Sequence, residues 1–243
     1  MMRFLLSVVA VILTGFIVLT GTVFFLSDQD IPDGVSGPEA EALRERIETA
    51  TGQAEWARGR FLGFRNVTTQ TNYFVDLDRG FVEALFQEGS DRITLHFSNS
   101  AYRVYRNGTP LEGGEAQALY EAGRVRFETD LFWLNPFGHL ADEGSEIKKV
   151  ANRALLVRFK RRPGEAYMIV TDESGLPTHW KIWKKGLSIG GQEIGFEEWH
   201  RVADGAMVSL GRKGKFYEVT FSDPVLAREG EETRFQDLGE GGR

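Results

Sequence analysis

FETDLFWLNPFGHLADEG, residues 127–144, is the stretch on which the reading of the fold turns. Leu131, Phe132, Trp133, Leu134 and Phe137 fall within seven positions, broken by Asn135 and Pro136. A run this apolar lacks the two-residue alternation of a half-buried strand, so it has to plug or cap something that the rest of the chain builds.

What the rest builds is legible on both sides of it. Upstream, RFLGFRNV, TNYFVDL, GFVEALFQ, RITLHFS and YRVYRNG alternate apolar and polar residues and are separated by DRG, EGSD and the hairpin former Asn107-Gly108. Downstream, ALLVRFK, AYMIVTD, THWKIWK, GFEEWHRV, AMVSLGRK and KFYEVTF repeat the pattern across RPGE, ESGLP and ADG turns. That makes about eleven strands in two antiparallel meanders. Between them Ala118, Leu119 and Ala122 predict a short helix near residues 114–122. The composition agrees: 18 Phe and 28 Gly against 7 Pro in 243 residues suit many strands joined by tight turns, and 42% hydrophobic content supplies a sizeable core.

The amino-terminal side adds an anchor and one more helix. FLLSVVAVILTGFIVLTGTVFFL, residues 4–26, holds 23 positions without a charge, enough at about 1.5 Å per residue to cross a hydrocarbon core of roughly 30 Å. GTVFFLSDQD carries no convincing cleavage site, so residues 1–27 read as an uncleaved transmembrane anchor, with a cleaved signal as the alternative. Arg3 on one flank and Asp28, Asp30 and Asp33 on the other place the bulk of the chain outside the cytoplasm. Residues 28–37 read as a polar tether. Ser36 and Glu39 fit a capping box, Ala40, Leu43, Ile47 and Ala50 share one face, and Gly52 is a stop, so a helix is expected over about 38–51. Trp56 follows as a core anchor or a ligand-facing ring. The expected architecture is mainly β (α+β): a single curved antiparallel sheet or incomplete β-barrel over residues 38–243, with an N-terminal helix, a helical insertion and a short polar tail, behind an N-terminal transmembrane helix.

TDLFWLNPFGHLADEG at 129–144 and LLVRFKRRPGEAYMIVTDESGLPTHWKIW at 155–183 carry a resemblance. An acid, an aromatic-Trp-Leu and a Pro before Leu-x-Asp-x-Gly resemble a bacterial envelope protein family of no agreed activity, assigned to a fold like that of the Lol-pathway periplasmic lipoprotein carriers and receptors. The resemblance implies a β-barrel left incomplete and closed by helices over an apolar cavity for acyl chains. This chain departs from the carriers in keeping an anchor and having no cysteine to bear a lipid.

On a curved sheet the opening stretch gains a job, because the concave face is wider than strand side chains fill. Trp56, Phe132, Trp133, Leu134 and Phe137 are the candidate ligand-binding residues, as a lid over a cavity or as a permanent plug. Charge marks a second surface. Residues 145–186 carry ten Lys and Arg against four acids, whereas the rest of the chain beyond residue 27 carries 18 against 31. Within the basic region Arg161, Arg162, Lys181, Lys184 and Lys185, interleaved with Trp180 and Trp183, suit anionic head groups or an acidic partner; a plain solvated face is the alternative.

No catalytic constellation emerges. His96, His139, His179 and His200 show no metal-ligand spacing; only a meeting of His179 and His200 on adjacent strands, with Glu198, would make a metal or hydrolytic site. Gly186-Leu-Ser-Ile-Gly190 matches a nucleophile elbow in letters but sits in a hairpin loop. No cofactor, metal or nucleic acid is expected. The functional expectation is an inner-membrane, single-pass protein, with the bulk of its chain periplasmic, that binds a lipid or other acyl-bearing ligand in its concave face. Its alternative is a structural or protein-interaction module of the envelope with a filled interior; a hydrolase or metal enzyme is the weaker third reading.

Overall fold

The computed structural model of the chain describes residues 29–86, 90–96, 101–184, 190–203, 205–215, 217–230 and 235. The apolar run 4–26 and Lys185 lie outside them. Among the described residues no helix is long and apolar enough to cross a membrane.

Two helices lead in, α1 (Pro38–Ala50) and the single turn α2 (Gln53–Trp56). Six strands follow: β1 (Phe61–Asn66), β2 (Thr71–Asp76), β3 (Phe81–Phe86), β4 (Asp91–His96), β5 (Tyr102–Arg106) and β6 (Thr109–Leu111). Helix α3 (Gly113–Leu134) and a 3-10 turn (Pro136–His139) separate them from β7 (Glu146–Ala151), β8 (Ala154–Arg158), β9 (Glu165–Thr171), β10 (Pro177–Lys184), β11 (Gln192–Arg201), β12 (Met207–Gly214) and β13 (Glu218–Ala227). All thirteen form one sheet in the order β6-β5-β4-β3-β2-β1-β13-β12-β11-β10-β9-β8-β7. Every neighbour is antiparallel, and β13 returns to pair with β1 and so joins the two meanders.

The sheet is open, and its edges are β6 and β7, which are consecutive in the chain. These are also the two strands that the sequence pattern does not reveal. Β6 is three residues long and contains Pro110; β7, EIKKVA, buries no residue fully. Short, proline-bearing or lysine-bearing strands are what a protected edge looks like, and they lack the alternation that identifies a strand with neighbours on both sides.

Helix α3 carries the chain from one edge to the other across the concave face. Tyr120 near its start stacks on Tyr102 of β5 at 4.2 Å, and Phe132 near its end lies 6.1 Å from Trp180 of β10. Those strands are eight places apart in the sheet, about 38 Å if flat at ~4.8 Å per strand, whereas twelve helical residues advance only about 18 Å. The sheet is therefore curved around α3. The helix is longer than residues 114–122 because six of its buried positions, Ala116, Tyr120, Gly123, Phe127, Asp130 and Leu134, form a stripe at alternating spacings of four and three, with Phe132 buried beside it. Gly and Asp at two of the six positions hide this stripe from a count of apolar residues. Gly123 is there for closeness: a Cβ would come within 2.6 Å of Ile93 Cδ1 on β4.

Helix α1 buries Ala40, Leu43 and Ile47 as expected, in a cluster with Leu155, Val157, Ile169 and Trp180. Its capping box does not form. The N-cap is Gly37, and Ser36 Oγ instead donates to the Ile147 carbonyl at 3.2 Å. The segment read as a tether is laid along the sheet: Val35 exchanges two 2.9 Å backbone hydrogen bonds with Lys149 on the β7 edge, and Gln29 O accepts the Trp183 indole N–H at 2.6 Å. An edge strand's unpaired groups draw neighbouring chain in this way.

Gly52 does end α1. It holds φ +67°, and a Cβ there would overlap the carbonyl of Gly205 in the β11–β12 connection. We expect Gly52→Ala to lower stability in a urea titration by more than about 1 kcal/mol, since both the left-handed backbone and the close approach oppose a side chain.

Candidate functional site

The last turn of α3 ends inside the concave face, where carbonyl oxygens that lack an intrahelical donor need one from elsewhere. Β12 provides it. Along MVSLGRKG, Val208, Leu210 and Arg212 share the inward face, so the alternation of the strand drives the Arg212 guanidinium into the interior. Arg212 is 0% exposed. One terminal nitrogen donates to the carbonyls of Trp133 at 2.8 Å and Leu134 at 3.2 Å, and the other to those of Ser209 at 2.9 Å and Gly211 at 3.2 Å. The guanidinium lies 4.5 Å from the centre of the Phe196 ring. A cation at a helix C-terminus is favourable, yet desolvation pushes the Arg212 pKa down to about 9, so the site strains against its own charge.

One turn back on the same stripe, Asp130 Oδ2 accepts the phenol O–H of Tyr73 on β2 at 2.7 Å. Burial raises the carboxyl pKa above its ordinary 3.8, against the lowering pull of Tyr73, Asn66 and Arg126. Burial and the neighbouring Asp130 charge raise the Tyr73 phenol in turn. Beyond the helix, Asn135 and Gln53 exchange side-chain amide hydrogen bonds, both 3.0 Å, which tie the start of the 3-10 turn to α2. Arg212, Tyr73 and Gln53 thus hold α3 from three elements of the fold.

The aromatic side chains of the stretch fill the space between. Phe132, Leu134 and Phe137 are buried, and Trp133 is half-buried. Trp133 lies against Trp180 at 5.1 Å and Tyr217 at 5.0 Å; Phe132 meets Phe159, Tyr167 and Trp180; Phe137 meets Phe196 and Trp199. Trp56 joins the neighbouring cluster with Leu134 and donates its indole N–H to the Met207 carbonyl at 3.1 Å. Two donors at this end of α3 have no acceptor among the described residues: Trp180 Nε1 and Arg212 Nε, both buried.

The basic residues are dispersed by their partners. Arg161 Nε pairs with Asp142 at 3.1 Å, Arg162 stacks over the Phe132 ring at 4.4 Å, and Lys184 faces Glu165 at 3.3 Å. These three share one end of the sheet, because Lys184 is in register with Glu165 at the start of β9. Lys181 lies further along β10 and donates to Gln29 Oε1 at 3.0 Å. His179 and His200 are not brought together: His179 is in register with Gly195, five residues from His200 along β11. Among the described residues no group of three or more His, Asp or Glu is placed to hold a metal.

Arg212, Asp130 and Tyr73 are the residues that reading the sequence missed, and Trp180 and Trp183, read as part of the basic surface, are instead buried. Arg212 and Asp130 carry a signal, a charged residue at the apolar parity of a strand and an acid in a helical stripe; in both cases the buried polar group needs a tertiary partner.

No protein-family model matches the chain, and no curated protein matches it. Among solved structures it is similar to a domain from Vibrio parahaemolyticus described as an outer membrane lipoprotein-sorting protein, at 10% identity and a TM-score of 0.38, over 79% of this chain and 97% of that one. So distant a likeness says nothing of what either site holds.

Two predictions test the polar set. Arg212→Lys keeps the charge but loses the fork, and we expect it to cost about 1–3 kcal/mol by leaving buried carbonyls unpaired, read as a lower urea midpoint. Asp130 binds its proton more tightly folded than unfolded, so its contribution to stability is largest below the unfolded value near pH 3.8 and is lost as pH rises through the raised folded value. The stability of Asp130→Asn relative to wild type should therefore improve as pH is raised from about 3 to 7; a difference flat with pH contradicts this.

Proposed function

We propose that the protein is a membrane-tethered envelope protein, its bulk on the periplasmic side of the inner membrane, that takes a lipid or other acyl-bearing ligand into the concave face of its sheet. In this reading α3 is the wall that yields, and Phe132, Trp133, Leu134, Phe137 and Trp56 are the apolar lining it shares with the sheet. The observation that carries the reading is the pair of buried, unpartnered donors, Trp180 Nε1 and Arg212 Nε, set among aromatic rings at the end of α3. Pockets for amphiphiles combine apolar walls with a few placed polar groups, and a permanent plug has no use for donors that stay unpaired. The topology supports it too: α3 joins the two sheet edges and pairs with no strand, so its displacement breaks no ladder hydrogen bond. The uncharged run 4–26 supports the tether. Arg161, Arg162 and Lys184, which share one end of the sheet, and Lys181 are proposed to meet anionic head groups or an acidic partner; Lys185 lies outside the described residues.

A second reading has its own support. The near-complete burial of Phe132, Leu134 and Phe137 favours a structural or interaction module with a filled interior. Trp133, the half-buried member, separates the two. With the full chain in lipid nanodiscs and empty nanodiscs as the blank, we expect Trp133→Ala to lower denaturant stability by less than about 2 kcal/mol, below the cost of truncating a fully buried ring, and to reduce binding of a fluorescent fatty acid. Wild-type protein that binds no fatty acid, with a large loss of stability in the variant, establishes the module instead.

A further inference from the structure

The opposite face of the sheet carries a second apolar site. Where β13, β1 and β2 run side by side, the residues alternate between the interior, with Leu62, Phe64 and Tyr73, and the outside, with Phe61, Gly63 and Phe74. Gly63 has no side chain, and a Cβ there would meet nothing nearer than 4.0 Å. On its other flank β13 is irregular. The register with β1 shifts between Gly63 and Arg65, and Asp223 takes φ +53° just before Pro224, a bulge of the kind that bends a strand and opens space beside it. The result is a groove of about 400 Å³, floored by Gly63, walled by Phe61, Phe74, Val225 and Ala227, and closed at one end by Gly230 and Phe235. That volume lies within the range of small-molecule sites, about 300–1,000 Å³.

The groove has polarity. The register Phe61↔Asp76, Gly63↔Phe74, Arg65↔Asn72 orders it along β1. Phe235, seated on the Phe81 ring at 5.7 Å, and Phe61 lie at one end. Arg65 and Asn72 lie at the other. Arg65 Nε is buried and has no acceptor among the described residues. Asp223 stands near that end, but its Oδ2 accepts the Ser222 hydroxyl at 2.9 Å, and no ion pair joins it to Arg65 among the described residues. Glu229 lines the groove towards the apolar end, and the guanidiniums stacked on its rings, Arg60 over Phe61 at 4.7 Å and Arg79 over Phe235 at 6.0 Å, already face the Asp76 carboxylate. From Phe61 to Arg65 is four strand steps, about 13 Å at ~3.3 Å each: room for one medium-length acyl chain and not for a diacyl lipid.

We infer that this groove binds a single-chain anionic amphiphile, its carboxylate on Arg65 and Asn72 and its chain laid along Gly63 towards Phe235. The site is separate from the concave face and does not depend on α3 moving.

The test uses the full chain in lipid nanodiscs and decanoic acid carrying a diazirine at its tail, with the matching decyl alcohol as the uncharged control. Labelled peptides are located by mass spectrometry. We expect the acid to label peptides containing Phe61, Ala227 to Gly230 or Phe235, at about ten times the yield of the alcohol, as one charge-assisted contact implies. Gly63→Leu, whose side chain enters the open floor, should cut labelling at least about fivefold with an unchanged melting temperature. Arg65→Gln should bring acid and alcohol to equal yield; it stands as the test should Gly63→Leu fail to fold. Labelling confined to residues 1–27 or 113–140, equal yields of acid and alcohol in the wild type, or no groove labelling because the chain's own C-terminal residues or a second copy fills the groove, each overturns the assignment. Labelling of 113–140 alone would leave the concave-face reading standing and remove only this one.

Discussion

A helix that ends away from water leaves up to four carbonyl oxygens without an intrahelical donor, and α3 ends between the rings of Trp133, Trp180 and Phe196. Arg212 answers that constraint from the sheet, spanning the carbonyls of Trp133 and Leu134 with one nitrogen. The remainder of the architecture is arranged around it. Pairing of a strand edge cannot seat α3, because α3 is not a strand; only side chains of the curved face can. Those side chains are Arg212 and Tyr73 for hydrogen bonding, and for burial the rings of Tyr73 and Trp180, against which Phe127 and Phe132 of α3 pack, a large apolar side chain being worth about 1.5–3 kcal/mol when fully removed from water.

The polar contacts set where the helix sits, and the apolar ones set how firmly. Tyr73–Asp130 and Arg212–carbonyl lie one turn apart along α3, so a rotation or slide of the helix breaks both together. Each is a poor source of net stability, since desolvating a carboxyl or a guanidinium offsets much of what its partners return. Their physical effect is position: few placements of α3 satisfy both while keeping Gly123 against Ile93.

The two faces of the sheet differ in kind. The concave face is filled by a helix, at whose end Trp180 Nε1 and Arg212 Nε have no acceptor among the described residues. The convex face near β1 is left open by a glycine and a bulge, and is bordered by an arginine. Residues 29–36 lie along a different part of the outer surface, with Val35 on the β7 edge and Gln29 against Trp183, so the chain entering the fold does not run free from the sheet.

Alternation and turn chemistry in the sequence determined the β class, the eleven strands that have neighbours on both sides or end in clear turns, and α1 with its stop at Gly52, because each of these is a local energy: a period or a left-handed glycine. Tertiary structure alone decided the edge strands β6 and β7, the docking of residues 29–36, the full 22-residue length of α3, and the convex groove. The edges carry no alternation because they have a partner on one side only. The helix is disguised because its stripe uses Gly123 for closeness and Asp130 for a partner on β2, 57 residues away in sequence. Arg212 is legible as a charge at an apolar parity, but that the parity stands and the charge goes inside follows from two carbonyls 78 and 79 residues away, which no local pattern can announce.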